Sequence, residues 1–335
     1  HALFIAGDIF DVINPSSQAQ KQLYQFLADA HELAPHMQTL MIAGNHDSGY
    51  RIEQVEPLLE KYNAKTVGVI RWNKDKSLDL ERLILPIYDE QKQIVAWCIA
   101  LPFLRPAEIT GFNEHTTNSQ NAIAYLHQQL IEEAKCRKTD DQALILMSHA
   151  HMQGGETSDS ERPIIIGNEE ALSTTLFDDS IDYVALGHLH KPQKVQHPHI
   201  RYSGSPIPLS FSERHYPHQV LCVDVQAGKA AQITPLLIPR AVAMLRIPSQ
   251  HAAPLEDIIT ELQQLGVAAV DHPDQRAWLE VVVLLDGPAP LDLRQQIEAH
   301  VPKDRVRLVR LRHEQQSRQT DDTTSAHALL PEDLP

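Results

Sequence analysis

The chain has 335 residues, with 29 Lys and Arg against 44 Asp and Glu, a formal net charge of -15. That length suits about two domains, and a hydrophobic fraction of 42% is enough for a sizeable core. No run reaches the roughly 18 apolar residues of a membrane-crossing helix, Cys98, Cys136 and Cys222 are too few for a disulfide scaffold, and the acidic balance argues against coating nucleic acid by bulk charge. Such cysteine usage fits a reducing compartment, most simply the cytoplasm.

The first apolar run, Ala2 to Ala6, predicts a strand buried on both faces and ends at Gly7-Asp8. After Pro15-Ser16, the spacing of Ala19, Leu23, Phe26, Leu27, Ala30 and Leu33 predicts a helix with one apolar face. Thr39 to Ala43 is a second strand, ending at Gly44-Asn45, and Ile52, Val55, Leu58, Leu59 and Tyr62 mark a second helix. Further strands are expected at Thr66 to Ile70, Leu83 to Leu85, Ile94 to Leu101, Ala143 to Met147, Tyr183 to Leu186, Val220 to Val225 and Ile233 to Ile238, with a helix over 118–136. The pattern implies a mixed α/β sandwich rather than a purely doubly wound sheet.

Pro239-Arg240 is the expected domain boundary, separating residues 1–238 from a small α+β domain over 240–313. In that second domain a strand from Val242, a helix from Leu255, a strand from Trp278, a helix from Leu291 and a strand from Arg305 give the order βαβαβ. Residues 314–335 read as a polar, truncated tail. The chain opens on His1 with a strand directly behind it, as expected of a chain that begins inside a domain.

Four strand ends carry side chains of metal-binding type: Gly7-Asp8-Ile9-Phe10-Asp11, Gly44-Asn45-His46-Asp47, Ser148-His149 and Gly187-His188-Leu189-His190. In open α/β sheets that edge is where ligands bind. A mixed oxygen and nitrogen shell suits manganese, iron or zinc better than calcium. Two such ions ~3.5–4 Å apart can clamp the attacking and leaving oxygens of a phosphoryl transfer. A lone Gly-Asp after a strand is usually a turn. Gly-Asn-His-Asp, however, is expected by chance in only about one chain per thousand of this size.

This ordered set resembles the calcineurin-like metallophosphoesterase signature. Two further stretches, Leu101-Pro102-Phe103-Leu104-Arg105-Pro106 and Tyr202 to Phe211, are similar to the SbcD-type nucleases of bacterial SbcCD complexes, relatives of the Mre-type double-strand-break nucleases. The resemblance runs from residue 1 to about residue 313. It implies a metallophosphoesterase β-sandwich flanked by helices, with the small domain as a cap contacting DNA. It implies two divalent ions, foremost Mn2+, and a double-strand exonuclease and single-strand or hairpin endonuclease serving DNA repair, recombination and replication. The implied partners are DNA and the separate ATPase SbcC, with a homodimer inside a heterotetramer and no membrane.

Carried over by position, the resemblance makes Asp8 the carboxylate bridging both metals. Asn45, His149 and His188 complete one shell, and His190 serves the other. His46 sits over the scissile phosphate as a catalytic group rather than a metal ligand, with Asp47 orienting it and Asp11 a weaker candidate for that support. The family's first motif, Asp-x-His, is not in the chain, which implies one incomplete site and impaired catalysis. His151 is expected to be a bystander beside His149, and His197 and His199 to lie in an exposed proline-containing loop. No Gly-x-x-x-x-Gly-Lys-[Ser/Thr] loop occurs, so no ATP hydrolysis by this chain is expected.

Lys303, Arg305, Arg307, Arg310 and Arg312 read equally as a phosphate-contacting edge or as an edge strand protected by charge. Two other functions stay open at this point: a small-molecule nucleotide phosphodiesterase of the same superfamily, or a non-catalytic scaffold.

Overall fold

The computed structural model describes residues 1–75, 77–109, 119–161, 171–177 and 179–315. The tail expected from residue 314 therefore lies almost wholly outside the described residues. The chain divides into two compact units, His1–Arg240 and Ala241–Pro335.

In the first unit, strand β1 (Ala2–Ile5) leads through helix α1 (Ser17–Leu33) to β2 (Gln38–Ile42). Ser16 caps α1, its hydroxyl accepting the Ala19 N–H at 3.2 Å. The buried stripe of α1 is narrower than its sequence spacing predicts. Leu23 and Leu27 pack on the core, but Phe26 and Leu33 face solvent.

The helix expected over 52–62 is broken. It forms α2 (Gly49–Glu53), α3 (Glu56–Leu59) and one 3₁₀ turn, before β3 (Ala64–Val67). Pro57 is the reason. It lacks the N–H an interior position must donate, and its ring would strike the carbonyl one turn earlier, so it opens a new helix instead.

β1, β2 and β3 form a parallel sheet with β2 in the centre. Every residue of β2 is buried, which explains its unbroken apolar run.

The larger sheet uses β4 (Ile84–Tyr88), β5 (Ile94–Leu101), β6 (Ala143–His149), β7 (Tyr183–Gly187), β8 (Gln193–Val195) and β9 (His197–Tyr202), in the order β4-β5-β6-β7-β9-β8. β5, β6, β7 and β9 run parallel, while β4 and β8 close the edges antiparallel. Short helix α4 (Pro106–Ile109) and α5 (Ser119–Arg137) lie between β5 and β6 in the chain. α5 buries Ile123, Leu126, Leu130, Ile131 and Ala134 on this sheet's core, the face its periodicity predicts. The hairpin β10 (Gln219–Asp224) and β11 (Gln232–Leu237) packs Val223 and Ile233 on the same core.

His197 and His199 are therefore not in a loop, as the sequence suggested. They begin β9, which is anchored by buried Ile200 and Tyr202. Pro198 is tolerated because β7 pairs only with Ile200 to Tyr202, beyond the position where a proline would remove a ladder bond.

The second unit follows the expected order: β12 (Met244–Ile247), α6 (Leu255–Gln263), β13 (Ala277–Leu285), α7 (Leu293–Glu298) and β14 (Val306–Gln315). Its parallel sheet, β12-β13-β14, buries Leu279, Val281 and Val283 against Ile258, Leu262, Leu293 and Ile297. β14 is an edge strand, and its Arg310 pairs with Glu280 at 3.4 Å.

Tyr202 ties β9 to the loop after β6. Its fully buried hydroxyl donates to the Ala150 carbonyl at 2.5 Å and accepts the Met152 N–H at 3.0 Å. Tyr202→Phe leaves both backbone groups buried without a partner, so a loss of about 1–3 kcal/mol is expected in urea unfolding. A change within error would show that neither bond contributes.

Candidate metal centre

The centre forms where the C-terminal ends of two sheets meet. β1 and β2 deliver Asp8 and Asn45 from the small sheet, and β6 and β7 deliver His149 and His188 from the large one. Close approach depends on residues without side chains. A Cβ on Gly44 would overlap the Asp8 carboxylate, and one on Gly187 would overlap the Ala6 carbonyl. Asp8 and His188 both sit at positive φ, +49° and +103°, a conformation that costs non-glycine residues energy and concentrates at functional sites.

Ligand atoms of Asp8, His149 and His188 lie within 4.8 Å of one another. Asn45 adds a fourth group, its Oδ1 2.9 Å from His149 Nε2. The His149 Nδ1–H donates to the Ala6 carbonyl at 2.8 Å, which leaves Nε2 as a bare lone pair in the neutral ring. That lone pair faces two oxygens, Asn45 Oδ1 and, at 3.3 Å, Asp8 Oδ2. In that neutral form three acceptors converge with no hydrogen between them, and buried His188 Nδ1 has no hydrogen-bond partner among the described residues. Acceptors without donors are what a divalent cation satisfies, so these residues fit a metal ion.

The electrostatics agree. Burial alone would raise the Asp8 carboxyl, but when a proton stands on His149 Nε2 in the cation's place, its hydrogen bond and charge, with the His46 N–H at 3.0 Å, outweigh burial and hold the group at about 2. Burial, then the neighbouring His149, push the His188 imidazole down to about 3, which keeps it a neutral donor to metal.

His46 lies beside this group with its main chain on Asp8 and its ring held elsewhere. The ring Nδ1–H donates to the Asp11 carbonyl at 2.8 Å, and the Asp11 carboxylate is 3.5 Å away. The expectation that Asp47 orients this ring needs correction. Asp47 is fully buried, and its carboxylate accepts the N–H groups of Gly44 (2.8 Å), Phe10 (3.0 Å) and Ile9 (3.1 Å). It is spent on the backbone of both loops, and burial pushes its carboxyl up despite these bonds. The ring support belongs to Asp11.

His190 stands outside the close group. Its Nδ1 meets the Glu213 carboxylate at 2.8 Å and Ser160 Oγ at 3.0 Å, and its N–H donates to Glu161 at 2.8 Å. His151 is a neighbour, its ring centroid 6.0 Å from that of His188, and is not among the converging ligand atoms. Sequence reasoning missed Glu213, Ser160 and Glu161, because no periodicity or metal-ligand spacing marks them.

Residues 1–192 match the family model described as calcineurin-like phosphoesterase. Residues 240–334 match that described as type 5 capsule protein repressor C-terminal domain. The SbcD component of nuclease SbcCD from Escherichia coli K12 is 30% identical over 329 residues, covering 95% of this chain and 76% of the relative. The chain belongs to the calcineurin-like phosphoesterase family, in its SbcD branch. The SbcD of Rhodobacter capsulatus is 38% identical over 271 residues, covering 79% of this chain and 66% of that protein. That of Bacillus subtilis 168 is 27% identical over 287 residues, covering 84% and 68%. The chain thus spans between about two thirds and three quarters of these relatives' length. Calcineurin-like phosphoesterases work with divalent metal ions, and the converging acceptors are where this member would hold one. No helix among the described residues is long and apolar enough to cross a membrane.

The depressed His188 gives a pH dependence with a definite sign. In the unfolded chain this ring takes up a proton near pH 6.5, whereas in the fold it stays neutral down to about 3. The unfolded state therefore binds more protons within that window, and the metal-free protein loses stability as pH falls through it, by up to about 5 kcal/mol. His188→Gln is expected to flatten the slope of unfolding free energy against pH in urea titrations. An unchanged slope would remove His188 as its source.

Proposed function

We propose that the chain is the nuclease component of an SbcCD-type complex, hydrolysing DNA phosphodiester bonds with divalent metal ions, foremost Mn2+. In this reading Asp8, Asn45, His149 and His188 would hold one ion, and Asp8 with His190 would serve a second. The observation that carries it is the convergence of acceptor atoms of Asp8, Asn45 and neutral His149, beside a His188 nitrogen with no hydrogen-bond partner among the described residues.

Bound there, divalent ions would activate water as the nucleophile and stabilise charge on the phosphate oxygens. The protein's own contribution is geometric. The Ala6 carbonyl fixes the His149 tautomer so that Nε2 points inward. Asp47 locks the Asp8 and Asn45 loops at one separation by its three backbone bonds. His46, with Nδ1 occupied by Asp11, keeps Nε2 as its free nitrogen. In the imidazolium form that nitrogen would give its proton to the leaving oxygen.

The relatives are named as components of SbcCD, which supports SbcC as the partner. A homodimer within that assembly, and a DNA-facing role for the cap domain with Lys303, Arg305, Arg307, Arg310 and Arg312, belong to the same proposal.

The test is cleavage of linear duplex DNA with Mn2+, in the presence of SbcC and ATP. His46→Ala is expected to lower the rate by about 10²–10⁴-fold while leaving metal content unchanged. Equal cleavage by the variant would remove His46 from the chemistry. Absence of any metal-dependent DNA cleavage, with activity on a small chromogenic phosphodiester, would favour a nucleotide phosphodiesterase instead.

A further inference from the structure

The stretch from Tyr202 to Phe211 has no side chain in the metal group, yet it wraps His190. The Ser205 N–H donates to the His190 carbonyl at 3.0 Å. Just past it, Glu213 is fully buried and turns its carboxylate back toward the His190 ring. Oε1 accepts from His190 Nδ1 at 2.8 Å and is also bonded by the Ser160 hydroxyl, with Ser158 Oγ at 3.3 Å. Oε2 accepts the Leu209 N–H at 2.9 Å and lies 3.5 Å from Ser205 Oγ.

A buried carboxylate normally needs a cationic partner. Among the described residues no Lys or Arg pairs with Glu213; its one ion-pair contact is the His190 ring. A positive charge held on the far side of the imidazole would complete that arrangement.

We infer that Glu213 is a positioning residue: its carboxylate holds the His190 ring with the proton on Nδ1 and so turns a bare Nε2 toward a metal ion. This rests on the proposed reading of His190 as a ligand. It also gives the Tyr202 to Phe211 stretch a physical task, which is to carry the main chain round to Glu213 and to seat Leu209 and Ser205 on the carboxylate. A carboxylate behind a ligating histidine fixes its tautomer and raises its basicity, and losing such a partner typically weakens metal binding by about 10–100-fold.

Two measurements on the full chain test this. The first needs no variant at the carboxylate. Nitrogen NMR of the metal-free protein with labelled histidine, in mildly alkaline solution and with His190 assigned by difference from His190→Ala, is expected to show His190 protonated on Nδ1. A proton on Nε2 would overturn the inference.

The second is Mn2+ titration calorimetry of wild type, His190→Ala and Glu213→Gln. The amide has a single oxygen. If it keeps the Leu209 bond, it must present its NH2 to His190, which drives the ring proton to Nε2. The binding step lost in His190→Ala is expected to weaken about 10–100-fold in Glu213→Gln, with the metal-free variant melting as a folded protein. If that step is lost in His190→Ala but unchanged in Glu213→Gln, the role of Glu213 is overturned and the ligand assignment stands. If His190→Ala loses no step, the ligand assignment itself falls and this role with it.

Discussion

Three backbone N–H groups ending on one buried carboxylate set the geometry on which the rest of the centre depends. Asp47 collects Ile9 and Phe10 from the loop after β1 and Gly44 from the loop after β2. Each bond alone is worth little net, about 1 kcal/mol. Together they leave almost no freedom in the distance between Asp8 and Asn45, because two loops are anchored to one rigid group. Burial makes the anchor stringent. Were any of the three donors to leave, a buried carboxylate oxygen would be left short of partners, so the arrangement is favoured as a whole.

The second constraint is the meeting of two sheets. β1 and β2 belong to one sheet and β6 and β7 to the other, so no ladder of hydrogen bonds fixes their separation at the centre. The His149 ring supplies the link, reaching from the end of β6 to the Ala6 carbonyl at the end of β1. The link works only because Gly44 and Gly187 let main chains approach where a Cβ would collide. The positive φ values of Asp8 and His188 follow from the same crowding. The chain bends sharply as it leaves each strand, and strain of roughly 1–3 kcal/mol per residue is accepted to turn these side chains inward.

Much of this was legible in the sequence, for identifiable reasons. Strands buried on both faces, such as β2 and β6, read as unbroken apolar runs. The polar residues just past them read as ligands because parallel strands deliver their C-terminal ends to one edge. What stayed hidden was whatever depends on contacts between segments far apart in the chain. Pro57 signalled a break in the second helix, yet the spacing of Ile52, Val55 and Leu59 was compatible with one continuous helix. β9 was obscured by its His-Pro-His opening, whose polar character masked the anchoring by Ile200 and Tyr202. Asp47 stood beside His46 in sequence and so was expected to orient it, but adjacent residues point their side chains in different directions. The ring is held by Asp11, 35 positions away.

Three of the four histidines assigned to the proposed chemistry are each held by a different acceptor. A backbone carbonyl fixes His149, the Asp11 carbonyl with its carboxylate close by fixes His46, and a fully buried carboxylate fixes His190. A carbonyl sets a tautomer without adding charge, whereas a carboxylate also makes the far nitrogen more basic. His149 shares its surroundings with Asp8 and Asn45, so convergence of acceptors alone makes its position attractive to a cation. His190 stands apart from that group, and the acceptor behind its ring is the buried Glu213 carboxylate. In the reading of both rings as ligands, the peptide carbonyl behind His149 would set its tautomer alone, whereas the carboxylate behind His190 would also raise the basicity of its far nitrogen.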